Sequence, residues 1–225
     1  MLTAGAEPQG VLAIWHDMAP GTREATLAWY DCEHHAERVG LPGFREARRY
    51  TAVTGSPELF ILYRTDGPEV LASEAYRARL HDPTPWSRRS LPNILNNTRG
   101  VCRVVGHAGS CDADWAVTVR ADSARMPPDP QATLDALVNR PGIAGAELWE
   151  ADAPISGLRS AEQTMKGGRD AVPSIVLVLH AADETAARSA LDLPDIVALA
   201  GGDHGRIGLY RLAFALRKGD GSSGA

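Results

Sequence analysis

Phe44-Arg45-Glu46-Ala47-Arg48-Arg49-Tyr50-Thr51-Ala52-Val53, led in by Pro42-Gly43, decides the fold, because its lead-in is used twice. Pro141-Gly142-Ile143 opens a second strand of the same kind, which runs to Trp149. A proline that stops a helix and a glycine that frees the turn mark the same junction in both halves. Ahead of the first copy, 11–16 (VLAIWH) reads as a strand apolar on both faces. Thr22, with Glu24 in the first turn, starts a helix that reaches Val39 and stops at Gly40. Ala25, Trp29, Cys32, Ala36 and Val39 form its apolar stripe.

After the first copy, the turn Thr54-Gly55-Ser56-Pro57 leads to an apolar strand at 59–64. A helix is expected over 69–80, then a loop at 81–85, a short helix or irregular segment over 86–96, and a strand at 100–106. The order is β-α-β-β-α-β. It returns as a strand at 115–120, a helix at 130–139, strands at 143–149 and 175–180, a helix near 184–191 and a strand at 206–212. The copies differ mainly over 154–173, which is rich in Gly, Ser and Arg. A β-α-β-β-α-β unit is the ferredoxin-like plan, whose helices cover one face of an antiparallel sheet. Strands apolar on both sides need their helix-free faces covered as well. The expected fold is therefore α+β, with tandem ferredoxin-like repeats (1–108 and 109–225) closing into an intramolecular α/β barrel that has room for a small molecule.

Composition agrees with a packed core. The 225 residues are 44% hydrophobic and 23% charged, which excludes wholesale disorder. The net charge of −5 lacks the basic face that nucleic acid requires. No apolar run approaches the ~18–20 residues of a membrane span. MLTAGAEPQG has neither the basic nor the apolar region of a signal peptide, so a cytoplasmic chain is expected. Cys32, Cys102 and Cys111 contain no CxxC pair, so neither a disulfide framework nor a zinc knuckle is expected.

The stretch 29–44 (WYDCEHHAERVGLPGF), with Arg48-Arg49-Tyr50 beyond it, resembles the signature of EthD-like proteins of the dimeric α/β-barrel superfamily. The shared pattern is an aromatic-rich helix ending in Glu-His, followed by Pro-Gly and an apolar residue. Trp15-His16-Asp17, Ser73-Glu74-Ala75-Tyr76 and Pro83-Thr84-Pro85-Trp86 are similar to a bacterial branch of it. The likeness spans roughly residues 11–105. His35-Ala36 stands where many relatives have an apolar residue and proline, and Cys32 where an acidic residue is common. The resemblance implies the fold more firmly than a reaction, since the superfamily holds dehydratases, isomerases, cyclases, decarboxylases, monooxygenases and haem proteins.

His34 is the first candidate for acid–base chemistry. It lies about 200° around the helix from Cys32, off the apolar stripe and in line with Tyr30 and Arg38. The alternative is a histidine that complements the helix dipole. Glu33 points elsewhere, and His35 reads as a packed or surface residue. His16 shares strand parity with Leu12 and Ile14; it is either a buried, singly bonded imidazole or a base at the rim of the barrel cavity, with Asp17 beside it. Phe44, Glu46, Arg48 and Tyr50 alternate on one face, lining a polar pocket or marking an edge strand. Tyr63 is expected to point its hydroxyl into the same space. Tyr76, Trp86, Arg88 and Arg89 suit a lid over an aromatic or carboxylate ligand.

No HxH, HExxH or Gly-x-Ser-x-Gly pattern occurs, and Lys166-Gly167-Gly168-Arg169-Asp170 lacks phosphate-loop spacing. No metal or cofactor is expected; haem through His16, His34 or His180 is the exception weighed. The leading expectation is a cofactor-independent lyase or isomerase acting on a small, largely apolar molecule. His34 or His16 would move the proton, with Tyr50 or Arg48 steadying an oxyanion and Arg48, Tyr63, Tyr76, Trp86 and Arg88 binding substrate. The alternatives are a ligand-binding or scaffold protein and an oxygen-using monooxygenase. The expected partner is a small-molecule substrate, not nucleic acid or membrane, with a homodimer left open.

Overall fold

Eight strands, nearly all apolar on both faces, have no solution except a sheet covered on both sides, and the chain finds it by closing the sheet on itself. The computed structural model describes residues 9–167 and 170–219. Residues 1–8, read above for a leader, and Gly168-Arg169 of the basic loop lie outside them. In chain order the elements are β1 (Gly10–Met18), α1 (Arg23–Trp29), a π-helical turn (Tyr30–His34), α2 (His35–Val39), β2 (Phe44–Thr54) and β3 (Leu59–Thr65). A 3-10 turn (Pro68–Ala72), α3 (Glu74–His81), α4 (Pro85–Ser90) and β4 (Ile94–Gly109) complete the first lobe. The second holds β5 (Trp115–Ala121), α5 (Pro130–Val138), β6 (Ile143–Ala151), α6 (Ala153–Ser156), α7 (Ala161–Met165), β7 (Ile175–Ala181), α8 (Glu184–Ala190), α9 (Pro194–Leu199) and β8 (Ile207–Arg217). No helix among the described residues is long and apolar enough to cross a membrane.

The barrel order is β1-β3-β2-β8-β5-β7-β6-β4, all antiparallel. Within each lobe this is the ferredoxin-like order 4-1-3-2, and the lobes meet at two matching seams, β2 with β8 and β4 with β6. β2 is thus an internal strand, so the edge-strand reading of its charges fails. The repeat extends to irregularities. β2 bulges between Phe44 and Glu46 against β3, and β6 bulges between Ile143 and Gly145 against β7. That bulge turns Phe44 to the helix side with Ala47, while Tyr50 faces the barrel axis. The expected common face for Phe44, Glu46, Arg48 and Tyr50 is broken at its first member.

The doubled Pro-Gly lead-in has a steric cause. Gly43 and Gly142 sit at φ +81° and +78°. A Cβ on Gly43 would lie 2.6 Å from Val70 Cγ2, and one on Gly142 would lie 2.5 Å from Ala186 Cβ. Forcing an L-residue left-handed costs ~1–2 kcal/mol, and overpacking adds ~1–3 kcal/mol. Gly43→Ala and Gly142→Ala should therefore each lose ~2 kcal/mol or more in urea unfolding. Losses below half a kcal/mol would refute the packing argument.

Boundaries shift for local reasons. The helix expected over 69–80 is interrupted, because Ser73 is extended and its side chain accepts from Tyr76 N to cap α3. β4 and β8 run past the sequence estimates because their far ends form the seams with β6 and β2. The 154–173 segment carries α6 and α7, which the sequence reading missed, as it did α9.

Candidate active site

Each lobe buries a layer between its helices and its strands, and the two layers differ in kind. In the second lobe the layer is aliphatic, built on Val117, Val119, Leu134, Leu177, Leu179 and Leu209. In the first it holds Trp29, Tyr30, Tyr63 and Tyr76, with His16, His34, His35 and Arg38 buried beside them. Strand register makes the contrast residue by residue. Phe44 pairs with Thr65, and Ile143 with Ala181. Counting inward from these pairs, Tyr63 corresponds to Leu179. His16, opposite Leu59, corresponds to Ala121, opposite Ile175.

The histidines reach this layer through the π-helical turn. A regular helix would bury the expected stripe, but Ala25, Cys32 and Ala36 are exposed. Thr26, Trp29, Tyr30, His34, His35, Arg38 and Val39 are buried instead. The extra residue in Tyr30–His34 rotates the following turn, so the 29/30 pair is followed by 34/35 and then 38/39. His34 is therefore on the core face, not off it, and His35 is packed.

His16 projects into this layer, away from the barrel axis where it was expected. Its Nδ1 lies 2.9 Å from the Asp17 carbonyl and its Nε2 2.9 Å from Tyr30 Oη. A carbonyl only accepts, so Nδ1 carries the proton and Nε2 accepts from the Tyr30 hydroxyl. Tyr63 Oη lies 3.0 Å from His35 Nδ1. His34 packs its ring 4.2 Å from Trp29 and 5.5 Å from Tyr30. Its Nδ1 has no hydrogen-bond partner among the described residues and stands 3.7 Å from Glu37 Oε2.

Burial sets the protonation states. It pushes His16 down to about 4 and His35 to about 3. His34 falls well below its ordinary value, through burial and then the Arg38 charge. All three imidazoles are neutral at neutral pH. Burial also raises the Tyr30 and Tyr63 hydroxyls, so both stay protonated.

Around this group lies a cavity with about 50 Å³ of free space, bounded on the strand side by Leu12, Ile14 and Tyr63. Its far wall comes from the second lobe: Leu158, Ser160, Glu162, Gln163, Lys166 and Asp170 of the inserted segment. Glu162 on α7 pairs with the buried Arg38 guanidinium, which also sits 5.6 Å over the Tyr76 ring. Lys166 Nζ is 3.5 Å from Asp170, and burial lowers its pKa. Arg38 Nη1 and Asn97 Oδ1 are buried without hydrogen-bond partners among the described residues. Polar atoms left open beside an apolar wall mark a place for a ligand or ordered water.

Tyr63 and Tyr76 thus join His16 and His34, but other predicted residues do not. Tyr50 and Arg48 face the barrel axis, on the opposite side of the sheet, so neither can steady charge beside His34 or His16. Trp86 is half-buried against the first-lobe core without lining the cavity. Arg88 is exposed and bonds Pro83 O and Asp82, and Arg89 is exposed. The cover they were expected to form is built by Leu158, Ser160, Glu162, Gln163, Lys166 and Asp170 instead. Arg38, Glu162 and Lys166 were missed; Glu162 meets Arg38 across 124 positions of chain with no local motif to announce it. Haem through His16 or His180 does not fit, because both nitrogens of His16 are engaged and His180 Nε2 is bonded to Glu147 inside the barrel.

The barrel axis is not an enclosed chamber. Trp15 and Tyr50 stack on Phe60 at its centre, with Trp15 and Phe60 ring centroids 4.9 Å apart, and Tyr210 packs tilted against Phe60. One end opens into a polar mouth of about 680 Å³ lined by Arg48, Arg64, Cys111, Asp112, Glu147 and Arg217 among others.

No protein-family model matches the chain, and no curated protein matches it in sequence. Solved structures match it in shape. An anthrone oxidase-like protein is 14% identical, with a TM-score of 0.57 over 96% of this chain and 95% of its own. A putative monooxygenase from Fusobacterium nucleatum is 11% identical, with a TM-score of 0.51 over 95% and 96%. A putative chlorite dismutase is 10% identical, with a TM-score of 0.51 over 92% and 95%. At these identities the likeness shows the fold, a dimeric α/β barrel made within one chain.

Proposed function

We propose that the chain is an EthD-like, cofactor-independent oxygenase that oxidises a small, electron-rich molecule such as an enolisable aryl ketone in the first-lobe layer. One observation carries this reading: a neutral imidazole, His34, lines a cavity between an apolar strand wall and a polar far wall, with Nδ1 unpaired and a carboxylate close by. The oxidase- and monooxygenase-like proteins of the same fold support it by analogy alone. The lyase or isomerase expectation shares the opening proton transfer and has no separate observation in its favour.

His34 takes the proton from an activated C–H, and Glu37 stabilises the imidazolium. The open Nη1 of Arg38 faces the resulting enolate oxygen. The enolate reduces dioxygen and bonds to it at carbon; loss of water leaves a ketone where a CH2 stood. One oxygen atom enters the product and the other leaves as water with the two hydrogens. Tyr30, bonded to His16, supplies the proton for that departure. The small free volume means that substrate entry displaces α7, held by Glu162 on Arg38.

Oxygen uptake with a panel of anthrones and hydroquinones tests the reading. Uptake should match product one for one, and His34→Ala should lower kcat at least ~100-fold, the lower end for a general base. Equal turnover without oxygen would return the chain to lyase or isomerase chemistry. Undiminished rates in both His34→Ala and His16→Ala would remove the mechanism.

A further inference from the structure

Inside the barrel, on the opposite face of the sheet from the imidazole layer, Cys111, Glu147 and His180 bring a sulfur, a carboxylate oxygen and a ring nitrogen within 4.8 Å of one another. We propose that this trio is a second site, which binds a thiophilic divalent cation of the zinc class at the floor of the polar mouth.

Three features support it. The donors are a soft thiol, an imidazole and a carboxylate, the mixture zinc takes in sites that keep a fourth position open. Two of them are rigid, since Glu147 and His180 lie on neighbouring strands and are buried. The third sits on the linker between the lobes, where Arg48 Nη1 donates to the Cys111 carbonyl at 2.7 Å. The linker supplies the movement of about 1 Å that would bring the donors to tetrahedral spacing. An outer shell is already in place: Arg64 holds both oxygens of Glu147, Nη1 to Oε1 at 2.7 Å and Nη2 to Oε2 at 2.6 Å, and Oε2, also 3.0 Å from His180 Nε2, exchanges its bond to Arg64 for the ion while Oε1 keeps its own. His180 Nδ1 is buried without a partner among the described residues. The open side faces the mouth, through which an ion and its water enter.

Charge decides whether an ion is tolerable beside arginines. The cation with the buried Arg48 and Arg64 faces four negative groups, the Cys111 thiolate, Glu147, Glu46 and Asp112, and a further positive charge, Arg217, stands at the exposed rim where water screens it. Binding breaks the Cys111 S–H bond, whose proton leaves to solvent as the sulfur–metal bond forms, and shifts the His180 proton from Nε2, where it is donated to Glu147, to Nδ1, freeing Nε2 for the ion. No electron is transferred.

The test uses the full chain, treated with chelator and titrated with Co2+ alone. One equivalent should give a thiolate-to-cobalt charge-transfer band in the near ultraviolet. The band should vanish in Cys111→Ser and persist in Cys32→Ser. Zn2+ competition against a chromophoric chelator should show at least ~10-fold weaker binding in Cys111→Ser. Because Cys111 lies on the linker rather than in the core, this variant should keep the wild-type melting temperature without metal. Absence of the band in the wild-type chain, or its persistence in Cys111→Ser, overturns the site. Neither readout depends on the oxygenase reading.

Discussion

Arg64→Met is expected to destabilise the chain by ~3–5 kcal/mol, the usual cost of leaving a buried charge without its partner. Arg64 is 7% exposed and Glu147 3%. Their fork-to-fork pair, at 2.7 and 2.6 Å, crosses the barrel from β3 to β6, and Arg64 also donates to Glu46 at 3.0 Å. Burial alone would raise the Glu147 carboxyl, but Arg64 and then His180 hold it well below the carboxylate range. Removing the guanidinium removes that support and leaves Glu147 ionised in the interior or forces it to take up a proton. Adding Glu147→Gln to Arg64→Met should restore part of the loss, since the stranded charge is gone. Urea unfolding at pH 7 reads both. A single-variant loss under ~1 kcal/mol would show that water from the mouth screens the pair.

The second large effect is acid sensitivity set in by histidine. His16 and His35, both fully buried, have folded values of about 4 and about 3 against an ordinary 6.5. Above pH 6.5 the imidazoles are neutral in both states and pH has no leverage through them. Below it the unfolded chain takes up protons that the folded chain refuses. Stability therefore falls between pH 6.5 and about 4, and the His16 contribution levels off below that. At 1.36 kcal/mol per unit, each of the two costs ~3 kcal/mol by pH 4, a large share of a typical domain's net stability. His34 acts in the same direction. Unfolding free energies from pH 7.5 to 4 should show this slope, and His35→Gln should reduce it. A flat profile would mean the layer admits water.

The barrel was legible because its cause is local and repeated. Pro42-Gly43 and Pro141-Gly142 mark matching turns, and strands without a polar face demand a closed sheet. The site was half legible. His16, His34, Tyr63 and Tyr76 were named from residue type and family likeness, and the structure brings all four into one layer. Their surroundings were misjudged for two reasons. A π-helical turn adds one residue to the helix period, and its trace, the 29/30 pair followed by 34/35, reads as noise to a 3.6-residue rule. Parity along β1 and β3 says which residues share a face but not whether that face meets helices or the barrel axis. His16 and Tyr63 were therefore grouped with Tyr50 and Arg48, from which the sheet separates them. Contacts such as Arg38 with Glu162 and Arg64 with Glu147 join distant segments and leave no periodic mark.

The ion pair across the barrel also bears on ancestry. Register places Arg48 at the position in the first lobe that Glu147 occupies in the second, and Arg64 at that of His180. Two identical subunits building the same barrel would set Arg64 of one against Arg48 of the other, like charge against like. Joining the subunits into one polypeptide lifts that constraint: mirror-related positions become free to diverge into opposites, and one half can be given over to scaffolding while the other evolves chemistry.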